Sequence, residues 1–240
     1  LFRSLLYKGG KMNTIKRMKI YQDLVNLNGI SGFEKQVRHY MKTELAKYAD
    51  EVVQDRLGSV FGIKRGKSGP TIMIAGHMDE VGAMVVGITK QGFLRMISIG
   101  GITPDVMVSQ NVQVRVGDDK YIRGVVGAIP PHINRGKEQK QLQFDDLLLD
   151  IGADSDEHAK EMGIEIGQPI TFVNDYYLTE DGKKIVSKAW DNRFGCGMAL
   201  EIMRELQNID HPNTVICGGT VQEEVGLRGA KTSAYKIDPD

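Results

Sequence analysis

The chain has 240 residues, with 31 Lys and Arg balanced by 31 Asp and Glu, and 41% of its residues are hydrophobic. That apolar content can close a sizeable core, in one large domain or two modest ones. The balanced charge excludes a basic field for nucleic acid or an anionic membrane, and no apolar run approaches the roughly 18 residues of a membrane span.

In chain order, the first residues, through Lys11, are expected to lie outside the fold. Tyr7 to Lys11 is what a purine-rich ribosome-binding site would encode ahead of a start at Met12. Ile20, Leu24 and Leu27 recur at helical spacing until Gly29 ends the run. Ser31-Gly32-Phe33-Glu34 has the form of a capping box. Phe33, Val37, Tyr40, Met41 and Leu45 then predict one apolar face of a second helix, with His39 beside it as a surface residue. Val52 to Ile63 reads as a hairpin turning at Asp55-Arg56-Leu57-Gly58. Thr71 to Ile74 reads as a short buried strand, and His77, Asp79 and Glu80 follow at its exit.

Beyond Gly82 the texture becomes a series of short β-like runs, at 83–89, 93–99, 106–116 and 121–129. Lys90-Gln91-Gly92 and Gly117-Asp118-Asp119 serve as turns. A short helix over 156–162 closes at Gly163, and 170–173 is another strand. His132, His158 and His211 have no partners in register and read as turn or surface residues. The α/β texture resumes near Ile185, where a strand to Trp190 hands over at Asp191 to a helix carrying Met198, Ala199, Ile202, Met203 and Leu206. Thr214 to Thr220 is the next buried strand, and it leads into Gln222-Glu223-Glu224-Val225-Gly226. Cys196 and Cys217 sit in small-residue or apolar settings and read as reduced core thiols, which suits a soluble, cytoplasmic protein.

Three strand ends therefore deliver His77 with Asp79, Asp191, and Glu223 with Glu224. An imidazole and several carboxylates suit two divalent ions bridged by one carboxylate. Two such ions can share a water, lower its pKa and steady the tetrahedral oxyanion of amide hydrolysis. A base that is not itself a ligand must take the water's proton, and adjacent glutamates offer that division of labour. Each stretch also has a plain structural reading. His77 can be a surface turn, Asp191 a helix N-cap, and the glutamate pair a solvated turn.

His77-Met78-Asp79-Glu80, Ala189-Trp190-Asp191-Asn192-Arg193 and Gln222-Glu223-Glu224-Val225-Gly226 together resemble the motifs of the glutamyl and tetrahedral (TET-type, cellulase M-like) aminopeptidases, a co-catalytic metallopeptidase family. Ser31 to Glu34 and the β-rich stretch are similar as well, so the resemblance runs from about Met18 to the last residue. It implies a zinc-peptidase-like α/β/α catalytic domain, over 12–82 and 177–240, interrupted by a β-rich dimerisation domain over 83–176. Carried over, His77 would bind one metal, Asp191 would bridge both, and Glu224 would bind the second. Glu223 would be the general base, and Asp79 would orient His77. The resemblance further implies two zinc or cobalt ions (sometimes manganese), release of N-terminal residues from peptides, and dimers assembling into a dodecamer. Substrate-binding residues are not assigned.

The same resemblance places a second carboxylate ligand, a C-terminal histidine and the last part of the catalytic domain beyond Asp240. Each metal would then keep two of its three protein ligands. The 240 residues alone are expected to bind metal weakly, to leave peptide uncleaved, and to expose apolar surface and a strand edge. Ser59 stands where relatives carry Asn. Two rival readings remain, an endoglucanase-like glycoside hydrolase using the Glu223/Glu224 pair and a non-catalytic assembly module. The first needs carboxylates flanking a sugar bond and gives no role to His77 and Asp191.

Overall fold

The computed structural model describes residues 11–128 and 141–240, so the readings of residues 1–10 and of His132 lie outside the described residues. Lys11, expected outside the fold, already begins the first helix, α1 (Lys11–Asn26). Helix α2 (Lys35–Leu45), strands β1 (Glu51–Gln54), β2 (Val60–Lys64) and β3 (Thr71–His77) follow. The next stretch holds β4 (Gly82–Ile88), β5 (Leu94–Ile99), the single turn α3 (Pro104–Met107), β6 (Asn111–Arg115), β7 (Tyr121–Ala128), β8 (Leu147–Asp150), α4 (Asp156–Glu161) and β9 (Pro169–Phe172). The chain finishes with β10 (Tyr177–Leu178), β11 (Ile185–Val186), α5 (Trp190–Glu205), β12 (Thr214–Thr220) and α6 (Arg228–Ile237). No described helix is long and apolar enough to cross a membrane.

The described residues form two compact units, one from the residues up to Glu80 together with Asp175–Asp240, the other from Val81–Asn174. In the first, four strands lie in the order β1-β2-β12-β3. The β1–β2 hairpin forms as expected, with Gln54 opposite Val60, and the Asp55 carboxylate closes its turn by accepting from the Gly58 and Ser59 amides. Strand β12 runs antiparallel to β2 but parallel to β3, in register from Thr214 opposite Thr71 to Thr220 opposite His77. A parallel pair needs a long crossover, and α5 packs on both strands from that crossover. Val215 and Cys217 of β12 meet Leu24, Val37, Met41, Leu45, Ala199, Leu200 and Met203 from the three helices in one buried cluster. Fully burying each of the larger of these side chains stabilises the fold by about 1.5–3 kcal/mol. Burial pushes both cysteine thiols up to about 12, so they stay protonated. Cys196 donates its hydrogen to the His77 carbonyl.

The second unit is a closed barrel in the order β4-β5-β8-β7-β6-β9. Alternate residues such as Val85, Leu94, Met96, Val112, Val114 and Leu149 fill its interior, and closure leaves no free sheet edge. Gly92 turns the chain between β4 and β5 at φ +85°, where an added Cβ would stand 2.4 Å from the Ala153 carbonyl oxygen.

Four local expectations are corrected. Glu34, not Ser31, precedes α2 as its N-cap, and no side chain caps that helix. The run expected as a strand over 106–116 begins instead with α3, because Pro104 follows Thr103 in a helix-initiating position and Met107 turns into the core. Strand β3 is longer than the four residues expected and lies at the sheet edge, so only Gly76 and His77 are buried and Ile72 is 42% exposed. The segment before Asp191 is not a strand of the main sheet: β11 has two residues and pairs only with β10.

Candidate metal centre

The parallel register of β3 and β12 is what assembles the site. It sets Thr220 beside His77, and the Met78 amide extends the ladder by donating to the Thr220 carbonyl at 2.7 Å. The chain leaving β12 then turns through Gln222, whose φ is +54°, and presents Glu223 and Glu224. Asp191 comes from the start of α5, where its own backbone is still non-helical (φ −84°, ψ 107°), two residues after Ala189 at φ +57°. A non-glycine residue in this left-handed region costs about 1–3 kcal/mol, and such outliers cluster at functional sites. Both of them lead directly into candidate site residues.

His77 is buried and is the hub. Its Nε2 lies 3.0 Å from Asp191 Oδ1 and 3.6 Å from Glu223 Oε2. Possible ligand atoms of His77, Glu223 and Glu224 all lie within 4.8 Å of one another. His77 Nδ1 faces the Asp79 carbonyl oxygen at 3.1 Å, with the Asp79 carboxylate slightly farther at 3.5 Å. A proton on Nδ1 toward that carbonyl leaves the Nε2 lone pair aimed at the carboxylates, the tautomer a metal needs.

The Asp79 carboxylate does more than face the ring. It accepts from the Ser31 hydroxyl at 2.6 Å and from the Glu223 and Glu224 amides at 3.1 Å each. Glu34 accepts from the Gly32 amide at 2.8 Å and from the Gln222 amide at 3.1 Å. Ser31 and Glu34 thus anchor the glutamate loop rather than capping α2. Sequence pattern misses this role, because the S-x-x-E signature is the same whether the side chains bond their own helix or a distant loop.

Burial pulls the His77 imidazole down, but Asp79, Glu223 and Asp191 outweigh it and hold it up at about 9. Burial likewise pushes the Asp79 carboxyl up, and contacts from His77, Ser31 and the two glutamate amides overcome it and leave it below the usual range. Glu224 is raised, first by burial and then by Glu223, Asp79 and Asp191, against the lowering effect of His77. Carboxylates gathered round one imidazole make a donor set that fits a divalent cation, which would relieve their mutual repulsion. Without metal, the imidazolium takes that part. Its folded pKa lies above the ordinary value of about 6.5, so its stabilisation is present in full below that value and is lost as pH rises through about 9. Urea midpoints of the metal-free protein are expected to fall between about pH 6.5 and pH 9. A flat profile there would exclude a buried His77 imidazolium.

Trp190, Asp191, Asn192 and Phe194 line an open hollow of about 520 Å³ beside the cluster. Trp190 and Phe194 give this hollow an aromatic wall, and Tyr21 stacks on Phe194 with ring centroids 5.8 Å apart. The other described histidines stand apart from the cluster. His39 is exposed on α2, Nδ1 of His158 accepts from the Asp154 amide, and Nδ1 of His211 faces the Asn213 carbonyl oxygen.

Residues 58–240 match the family model described as M42 glutamyl aminopeptidase. The glutamyl aminopeptidase of Lactococcus lactis subsp. cremoris (strain MG1363) is 40% identical over 221 residues, covering 90% of this chain and 62% of that protein. The crystal structure of a TET aminopeptidase from the marine sediment archaeon Thaumarchaeota archaeon SCGC AB-539-E09 superposes with a TM-score of 0.89 at 42% identity, covering 94% of this chain and 64% of that one. The TET1 peptidase of Pyrococcus horikoshii, described as able to assemble into a tetrahedron or a large octahedral shell, gives a TM-score of 0.82 at 31% identity, over 93% of this chain and 66% of that one. The chain spans about three fifths of the length of the curated relatives it matches.

Proposed function

The chain belongs to the M42 glutamyl aminopeptidase family, and we propose that it carries most of the centre of a metal-dependent aminopeptidase that releases N-terminal residues from peptides. The observation that carries this reading is that ligand atoms of His77, Glu223 and Glu224, at the ends of β3 and β12, lie within 4.8 Å of one another, with Asp191 Oδ1 from the start of α5 3.0 Å from His77 Nε2. In this reading His77 would hold one of two divalent ions, zinc or cobalt with manganese as a third choice, Glu224 would hold the other, and Asp191 would be shared between them. Divalent ions held there would supply, when bound, a water acidic enough to act as a nucleophile near neutral pH. Glu223 would serve as the general base toward the attacking water and as the proton donor to the leaving amine. Asp79 keeps the proton of His77 on Nδ1 and fixes the glutamate loop through two amides.

One imidazole and three carboxylates are few ligands for two ions. The 240 residues by themselves are therefore proposed to bind metal weakly and to leave peptide uncleaved, and activity belongs to the whole gene product. Assembly is proposed to follow the TET1 pattern, as a homo-oligomer built through the insert over 83–176. The intact gene product, assayed on aminoacyl-nitroanilides, is expected to lose hydrolysis on chelation and to recover it with cobalt or zinc. Chelation-resistant hydrolysis, or cleavage of cellulose in place of the anilide, would overturn the peptidase reading. The second of these outcomes would favour the glycosidase.

A further inference from the structure

Asp191 presents a puzzle of placement. Its side chain is 88% exposed, so its own packing cannot hold it, yet it stands 3.0 Å from His77. The residues on either side of it are held tightly. Lys188, three residues earlier, is buried, and its Nζ donates to both Glu80 carboxylate oxygens at 2.7 and 2.8 Å, to the Leu27 carbonyl at 3.1 Å and to Asn28 Oδ1 at 3.0 Å. Arg193, two residues later, is fully buried. Its Nη1 donates to the Leu24 carbonyl at 2.7 Å and to the Leu27 carbonyl at 3.2 Å, and its Nη2 reaches the Gly29 carbonyl at 3.4 Å and Glu80 at 3.6 Å.

All of these acceptors lie at the carboxyl end of α1 or on Glu80. The last carbonyls of a helix have no partners within it and favour cations. Glu80 belongs to the same place, since its carboxylate accepts from the Gly29 amide and its own amide donates to the Gly29 carbonyl, each at 3.0 Å. Glu80 also follows His77 by three residues. The segment that carries His77 and the segment that carries Asp191 are therefore pinned to one rigid point, the end of α1.

We propose that Lys188, Arg193 and Glu80 form a buried clamp whose task is to position the exposed Asp191 against His77. These are positioning residues, because none of them reaches the cluster itself. Burying two cations with one carboxylate costs free energy that apolar side chains of similar volume would not, which is consistent with a role in fixing geometry rather than in stability alone. The inference rests on the metal reading of Asp191 for its consequence, though not for its geometry.

The test is a double-mutant cycle of Lys188→Met and Asp191→Asn in the full chain, with two readouts. In metal-free protein, the Arg193 and Gly195 amides, which donate to the Ala189 carbonyl and to Asn192 Oδ1, are expected to exchange about tenfold faster in Lys188→Met, while amides of the β1–β2 hairpin are unchanged. In cobalt titrations, Lys188→Met is expected to weaken binding about tenfold when Asp191 is present, and not to weaken it further in Asp191→Asn. A purely structural Lys188 would lower affinity equally in both backgrounds, and that result, or unaltered exchange at Arg193 and Gly195, overturns the clamp. If Lys188→Met does not fold, Lys188→Gln keeps donors for Leu27 and Asn28 and carries the same cycle. If the wild-type chain binds no cobalt, the metal reading fails, and the exchange readout alone still decides whether the clamp positions this segment.

Discussion

Replacing Glu223 with Gln in the intact gene product is expected to lower turnover of an aminoacyl-nitroanilide by about 10²–10⁴-fold, the usual contribution of a positioned general base. Cobalt binding should survive. The amide keeps the shape of the side chain, and the Glu223 backbone stays tied to Asp79 through its own N–H. The comparison is sharp because Glu223 Oε2 lies only 3.6 Å from His77 Nε2, close enough for the geometry to admit a ligand at this position too. Calorimetric titration with cobalt separates the two roles. Turnover lost with affinity kept identifies the base, whereas affinity lost together with turnover makes Glu223 a ligand and sends the base role elsewhere.

Gly76→Ala is expected to be a strongly damaging single methyl addition near the site. A Cβ at residue 76 would stand 2.5 Å from the Cys196 nitrogen, 2.6 Å from the Gly195 carbonyl carbon and 2.9 Å from the Gly195 Cα. These are backbone atoms of α5 and cannot rotate aside, so strand and helix must separate. Overpacking of this kind costs about 1–3 kcal/mol and sometimes more. The displacement falls between His77, the next residue on β3, and Asp191, four residues before Gly195, so cobalt affinity should fall together with the denaturation midpoint. Gly101→Ala is the control, because an added Cβ there meets nothing within 4 Å, and its effect should stay within about 0.5 kcal/mol. A Gly76→Ala protein with wild-type stability and affinity would show that α5 is not held tightly against β3.

Much of the fold could be read along the chain, for a physical reason. Thr214 to Thr220 forms a strand over the residues expected, because a β-branched and small-residue run between turn formers has few other ways to bury itself. Val37, Met41 and Leu45 lie buried on one face of α2 at the spacing the helix dictates. The β1–β2 hairpin follows from the local chemistry of the Asp55 to Gly58 turn. The three motif segments were legible too, since each clusters chemically unusual side chains next to an apolar run.

What the tertiary structure alone decided is which distant groups those side chains meet. Ser31 to Glu34 carries a helix-capping pattern, and the fold spends both side chains on the Asp79 and Gln222 positions instead. Lys188 and Arg193 are both buried at the end of α1 around Glu80. Asp191 arrives from a helix start behind a two-residue ribbon rather than from a strand of the main sheet. Periodicity reports a residue's relation to its own element over a few neighbours. Hydrogen bonds spanning 48 to 188 residues of chain, from Ser31 to Asp79 and from Gln222 to Glu34, are set by how β3, β12 and the segment between α1 and α2 come together, and no local pattern encodes them.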